Sequence, residues 1–422
     1  MWYVNTSSCA NSSKLFEPYD YETFRKIQSQ YAELSSDEKA KYHGAEHYTT
    51  IQTGKELTPL NRNFLKIMDE VTERLKSTST VETLQIDTVF QNDLILNLLT
   101  SLENEDYIKE VYKAKKLRVR SGLNTTEASI ILQCFRQGRS LLQAGIKADL
   151  LAKPLIDFYA ACAYAYAIIV INSPLHKSID SLKGSHGHTY NHADKTIDFG
   201  GSIPSGTFLD LLAAIPVSHI VKNNIKINYS LVDSIDFIQT HSTKLSLNVL
   251  LSMIPELRDS YRRIDSDHKC THKLDVDVEV VSGKIIYNFY IGDGRDRPDR
   301  SKIETSFKTT NISENQGSYK VVISQQDLAH IMPTIYQDVK GQLWYIESPV
   351  DGMVLPEFCL HYLTISALCN IMRYSPHAWG DIISNRISSE YSLLISEYIH
   401  LFELKFPILV VRHITNYLPQ LL

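Results

Sequence analysis

Two stretches far apart in the chain, Leu155 to Ile171 and Pro356 to Met372, are apolar on nearly every side. A helix of that kind has no face to give to water, so each predicts a buried helix at the centre of the fold. The simplest arrangement packs one on the other. Just before the first, Ile130, Ile131, Cys134, Phe135, Gly138, Leu141 and Leu142 recur on one helical face, with Gln133, Arg136, Gln137, Arg139 and Gln143 on the rest. Asn124-Thr-Thr-Glu127 opens that helix: the Asn caps free N–H groups and the Glu reaches back to the cap. Pro154 suits the first turn of the buried helix that follows. Leu60 to Leu75 and Thr88 to Leu102 also carry apolar residues at helical intervals. Beyond the second rod, Tyr391, Leu394, Ile395, Tyr398, Leu401 and Phe402 form a stripe that Pro407 is expected to end.

Between Lys183 and Val350 the period changes. Ile225 to Leu231, Leu274 to Val281, Lys284 to Ile291, Tyr319 to Ser324 and Gln342 to Glu347 alternate or cluster β-branched and aromatic residues, the pattern of strands. Ser282-Gly283 reads as a hairpin turn, Leu245 to Arg263 as a helical insertion, and Gly292 to Arg300 as a charged loop. The predicted class is α+β: a mainly helical body formed by the N- and C-terminal flanks, with an inserted antiparallel β-region. The expected divisions are a mixed region 1–115, a first core helical block 116–182, a β-region 183–350 and a C-terminal helical block 351–422.

Composition narrows the partners. The 422 residues are 43% apolar and 22% charged, with a net charge of -5, which does not suit a protein that coats nucleic acid through bulk charge. The start shows no basic segment followed by an apolar one, and the run Phe158 to Ile171 falls short of the ~20 residues that cross a bilayer. A cytoplasmic protein without a membrane span is expected. The six cysteines contain no paired spacing and read as free thiols.

Several segments resemble the YaaC-like family. Leu141-Leu-Gln-Ala144 followed by Lys153-Pro-Leu-Ile-Asp-Phe-Tyr159 is similar to its first helical block. Lys183-Gly-Ser-His186-Gly187 resembles its Lys-x-x-His-Gly loop, and Gly206-Thr-Phe208 its Gly-x-Phe turn. Leu245 to Glu256 looks like its helix ending in Ile-Pro-Glu, and Arg373-Tyr-Ser-Pro-His-Ala-Trp379 like its Arg-Tyr-x-Pro-x-x-Trp signature. The resemblance covers roughly residues 125–415 and implies fold and boundaries, not a reaction. Families of this kind also occur in bacterial stress or phage-defence systems.

Candidate chemistry gathers in a few places. His186, His188 and His192 share a polar loop and, if the segment is extended, face one side, where a divalent metal such as Zn²⁺ would bind. The plain alternative is a surface loop with only His186 fixed. His268-Lys-Cys270-Thr-His272 offers a second alternation of ligand types, more simply the start of a strand. After the last rod, Arg373 is placed to grip a phosphate or carboxylate, His377 to move a proton and Trp379 to stack a base. Helix capping by Arg373 and corner filling by Trp379 is the structural reading of the same residues. Lys113, Lys115, Lys116, Arg118, Arg120, Arg136 and Arg139 would hold nucleic-acid phosphates if they converge, and are otherwise a solvated face. The Arg-then-His spacing of HEPN-type ribonucleases is not met by Arg373 and His377, with only three residues between them; Arg263 and His268 meet it but straddle a helix end and a strand start. Phosphate-loop, nucleophile-elbow and paired-cysteine zinc motifs are absent from the sequence.

Two functions follow. One is an interaction or partner-dependent component, binding a protein partner or a second copy. The other is a nuclease or nucleotide-acting enzyme with His186, Arg373 and His377 as catalytic residues, which requires the loops after the two rods to meet.

Overall fold

The capping box predicted at Asn124 forms. Its side chain accepts from the Glu127 N–H at 2.8 Å, and the Glu127 carboxylate accepts from the Asn124 N–H at 3.0 Å. The structure, a computed structural model, describes residues 78–80, 82–86, 91–115, 122–173, 179–182, 184–199, 206–215, 217–221, 225–229, 244–279, 284–292, 296–315, 317–324, 327–329, 331–350, 353–415 and 417–421. The expected helix at 60–75 and the turn at Ser282-Gly283 lie outside them. In chain order the described helices are α1 (Gln91–Ser101), α2 (Glu105–Lys115), α3 (Thr125–Lys147), α4 (Lys153–Asn172), α5 (Thr207–Ala214), α6 (Leu247–Ser252), α7 (Arg258–Ile264), α8 (Arg300–Phe307), α9 (Glu357–Tyr374), α10 (Pro376–Ile383) and α11 (Ser389–Ile414).

The two rods are α4 and α9, and they pack on each other and on α11. Phe158, Tyr164 and Ile168 share one core with Phe358, Tyr362 and Leu368, to which α1, α2, α3, α5 and α6 also contribute. The α4 helix reaches 20 residues, longer than its apolar run suggested and long enough to cross a bilayer, but most of it is buried inside the molecule. It is a core helix by its surroundings.

The expected strands form, the one at Ile225–Tyr229 among them, together with others that the periodicity did not announce. The short strands are β1 (Thr78–Thr80), β2 (Glu82–Ile86), β3 (Thr189–Asn191), β4 (Thr196–Asp198), β5 (Val217–Val221), β6 (Ile225–Tyr229) and β7 (Lys244–Ser246). Then come β8 (Thr271–Glu279), β9 (Lys284–Tyr290), β10 (Ile312–Asn315), β11 (Ser318–Ser324), β12 (Thr334–Gln337), β13 (Leu343–Ile346) and the terminal β14 (Tyr417–Leu421). Six of them form an antiparallel sheet in the order β10-β11-β9-β8-β13-β12. Ile285, Tyr287 and Phe289 of β9 alternate inward onto Leu274 and Val276 of β8, while Ile303 and Phe307, one turn apart on α8, close that second core. Tyr336, Trp344 and Ile346 instead join the helical core, so the β12–β13 edge ties the sheet to the body. The short strands make two three-stranded sheets, β3-β4-β7 and β1-β6-β5, and β2 pairs in parallel with β14.

Two expectations change. The Leu245 to Arg263 insertion is broken at Pro255, because the residue before a proline is driven to extended backbone; Ile254 takes φ -88, ψ 113. Pro407 does not end the last helix, which runs on to Ile414. A proline inside a helix costs about 3 kcal/mol. Burying Phe406, Ile408, Leu409, Val410 and Val411 offsets that, at roughly 1.5–3 kcal/mol for each large side chain.

Four charges are enclosed where α11 meets α9. Lys405 contacts Glu357 and, at 2.6 Å, Glu256; Arg412 lies 3.6 Å from Glu357. Two acids and two bases balance. Burial pushes Glu256 up against the pull of Lys405, and raises the cost of charging Lys405, yet the two carboxylates outweigh it and the Lys405 pKa rises.

Asp157 has no such balance. It is fully buried on α4, both carboxyl oxygens lack a hydrogen-bond partner, and burial, with Glu403 adding to it and Lys153 opposing, pushes it up to about 8. The native state then holds a proton that the unfolded chain releases above its ordinary value. Stability therefore falls as pH rises from about 4 towards 8. Asp157→Asn should flatten this slope and gain at least ~1 kcal/mol over the parent at pH 8. Urea unfolding of both proteins at pH 5, 6.5 and 8 checks it, and parallel profiles would refute the protonated carboxyl.

Candidate functional site

The polar loop after α4 and the corner after α9 meet. The backbone clamps the loop onto the start of α5: the Thr207 N–H donates to Ser185 O at 2.9 Å and the Phe208 N–H to His186 O at 3.0 Å. The His186 ring stands edge-on to Phe158 at 5.0 Å between centroids. Burial lowers its pKa and the nearby Arg373 charge lowers it further, so a neutral imidazole sits beside a guanidinium. Its Nδ1 is buried without a partner. Further along, His192 contacts Ser375 Oγ at 3.3 Å and stands edge-on to Tyr190 and Tyr374. Arg373 lies over the Tyr374 ring at 4.9 Å and bonds the Cys369 thiol, whose pKa burial raises to about 11.

The three histidines do not make a metal site. His188 Nδ1 is 3.1 Å from His186 O, a pure acceptor, so Nδ1 carries the proton and Nε2 accepts from Ser366 Oγ at 2.7 Å. Both nitrogens are spoken for, and burial holds this ring neutral, its pKa down to about 3. The expectation of one shared side fails at Gly187, whose φ of +79° turns the chain between His186 and His188. Among the described residues no three His, Cys, Asp or Glu side chains are placed to hold a metal ion. In the second alternation, His268 is buried against Tyr261 and His272 lies 2.9 Å from Glu347, apart from the Cys270 contact to Ser252.

The other candidates divide. Trp379 is 1% exposed at the first turns of α10 and cannot stack a base; it fills the corner, as the structural reading had it. His377 is 90% exposed and pairs with Asp381 at 3.1 Å, one turn along its own helix. Lys116, Arg118 and Arg120 lie outside the described residues. Of the rest, Arg139 is held by Glu103 and Gln143, and Arg136 lies 3.7 Å from the same Glu103. Lys113 is exposed, whereas Lys115 bonds Asn172 and His413 O at the far end of α4. His186 packs on Phe158 near the other end of that helix, roughly 20 Å away at about 1.5 Å per residue. Lys115 and the histidine corner therefore sit toward opposite ends of α4.

Sequence reasoning passed over Asp157, Glu256 and Lys405. The signal was present: charged residues standing inside apolar helical runs, where only pairing or protonation makes burial affordable.

These placements account for the resembling motifs, and the family description YaaC-like Protein matches residues 97–414. The chain belongs to the YaaC-like family. No curated protein and no solved structure matches it. Within the YaaC-like chain, Gly187 and Gly206 form the clamp, Glu256 joins the enclosed charges, and Lys153, at the start of α4, pairs with Glu403 and with the last carbonyls of α3. Tyr159, Arg373 and Tyr374 are exposed motif side chains, and of these Arg373 lies near His186.

Proposed function

We propose that this YaaC-like protein works through a partner, as an interaction component, and that it meets that partner at the Arg373–Tyr374 corner. What supports the reading is the division among its motif residues. Lys153, Asp157, Glu256 and Trp379 are consumed inside the fold, while Tyr374, at 58% exposure, and Arg373 stay outward. Tyr and Arg are the side chains enriched where interfaces concentrate their energy. Among the described residues Arg373 has no carboxylate partner, so the partner is a protein segment carrying acidic side chains. The bacterial stress or phage-defence setting suggested by the resemblance is where it is to be sought.

The second reading, a nuclease or nucleotide-acting enzyme, draws on the adjacency of His186 and Arg373 alone. The place of Lys115 at the far end of α4 counts against it. One experiment separates the two. A photo-crosslinking residue at position 374 should capture a protein in cells, and that protein, purified, should bind the parent chain at least tenfold more tightly than Arg373→Glu. Binding indifferent to Arg373→Glu would overturn the interaction reading. So would turnover of RNA or a nucleotide that is lost in His186→Ala.

A further inference from the structure

Arg258 and Arg262 stand one turn apart on α7 and point at one atom. Both donate through Nη2 to Asp296 Oδ1, Arg262 at 2.5 Å. Each leaves its Nε–H buried and without a partner. A guanidinium grips an oxyanion best side-on, through Nε and Nη together. Here both forks are half used, because one carboxylate oxygen cannot fill two of them.

The surroundings are built. Trp344 lies under Arg258 at 5.6 Å, fixing its plane. His268 is 4% exposed, packed on Tyr261 at 4.7 Å, with Nε2 unpartnered. Burial and the neighbouring Arg262 push it down to about 4, so it offers a neutral hydrogen-bonding edge beside the two cations. Burial, and then the Arg262 charge, also lower Arg258 against the pull of Asp296 and Asp259. The flanking acids are exposed, Asp259 pulling weakly on the Arg258 charge and Asp265 on His268. Asp296 itself is on the loop before α8, its side chain 42% exposed, with only its carbonyl further held, by His272 Nδ1 at 3.2 Å. Gly292 lets the loop fold this closely, since a Cβ there would lie 2.3 Å from the Asp296 Cβ.

We infer that the Arg258–Arg262–His268 cluster is a binding site for the phosphoryl group of a small molecule, occupied at rest by Asp296 as an internal stand-in. A tetrahedral oxyanion brings the extra oxygens that the idle Nε donors and His268 lack, and it displaces the carboxylate towards solvent. The inference is independent of the interaction reading, since it rests on residues of α7 and the sheet.

The test uses the full chain and inorganic phosphate, titrated against chloride at matched ionic strength and followed by ³¹P line broadening and calorimetry. Asp296→Asn removes the competing charge and should bind phosphate at least tenfold more tightly than the parent. Adding Arg262→Gln to it should abolish that binding. In the unaltered protein, saturating phosphate should speed amide exchange at Asp296, Arg297 and Asp299, a readout that needs no variant. A nucleoside monophosphate arm separates the sources: tighter binding than phosphate assigns a phosphorylated metabolite, equal binding assigns the free ion, and both support the site. No gain in Asp296→Asn, binding that survives the loss of Arg262, or unchanged exchange in the unaltered protein would overturn it.

Discussion

Lys405→Met should cost about 3–5 kcal/mol of stability at pH 8, the range seen when one partner of a buried ion pair is removed. Methionine fills the space of the lysine stem, so packing changes little; what is lost is the ammonium between two carboxylates. Glu256 and Glu357 then remain enclosed with Arg412 as the sole cation of the group, 3.6 Å from Glu357. The sign of the pH dependence follows. Burial already raises the Glu256 carboxyl. Without Lys405 it rises further, so the native variant takes up a proton that the unfolded chain gives up. That contribution to stability is present at low pH and lost as pH rises through the raised value. The gap between parent and variant should narrow at pH 5. Glu357→Gln in the same background should recover part of the loss, because one carboxylate then faces one guanidinium. Urea midpoints at the two pH values decide it. A loss under ~1 kcal/mol at pH 8 would mean that water, not Lys405, balances the carboxylates.

The same network shows how far the sequence could be read. The α3 cap and the two rods were legible because each is a local signal: a side chain bonding three residues away, and apolar residues on all faces. The six-stranded sheet was legible where strands are long enough to alternate, as in β9. Strands of three residues carry no measurable period, and they went unseen. Pro407 misled because its local penalty is outweighed by burial that only the folded body supplies. Among site residues, the meeting of His186 with Arg373 followed from the packing of α4 on α9. The metal triad failed at a backbone angle at Gly187, and Trp379 at burial, neither visible in spacing. The pairing of Arg258 and Arg262 with Asp296 joins residues 38 and 34 positions apart, and no periodicity reports that.

Gly206→Ala should be destabilising by roughly 2–5 kcal/mol, the sum of a strained backbone and a forced contact. Gly206 caps α5 at φ +136°, a region L side chains rarely adopt. Its Cβ would lie 2.5 Å from Ser185 Oγ and 2.6 Å from both Gly187 N and Ser185 O, and two of those three atoms are backbone. Neither can move without breaking the bonds from Thr207 and Phe208 that hold the His186 loop. Gly187→Ala meets the same clamp more gently, with nearest atoms at 3.2–3.3 Å. Gly122 supplies the control. It shares the strained angle, φ +132°, and a methyl group added there would meet nothing within 4 Å. The excess of Gly206→Ala over Gly122→Ala in urea unfolding therefore isolates the clamp from the backbone strain. The loss should also be felt at the corner: once the loop lifts, His188 leaves Ser366, and its imidazole, no longer buried, titrates near its ordinary value by NMR. If Gly206→Ala and Gly122→Ala cost the same, or the His188 titration stays where it is, the loop is held by its side chains and not by the paired glycines.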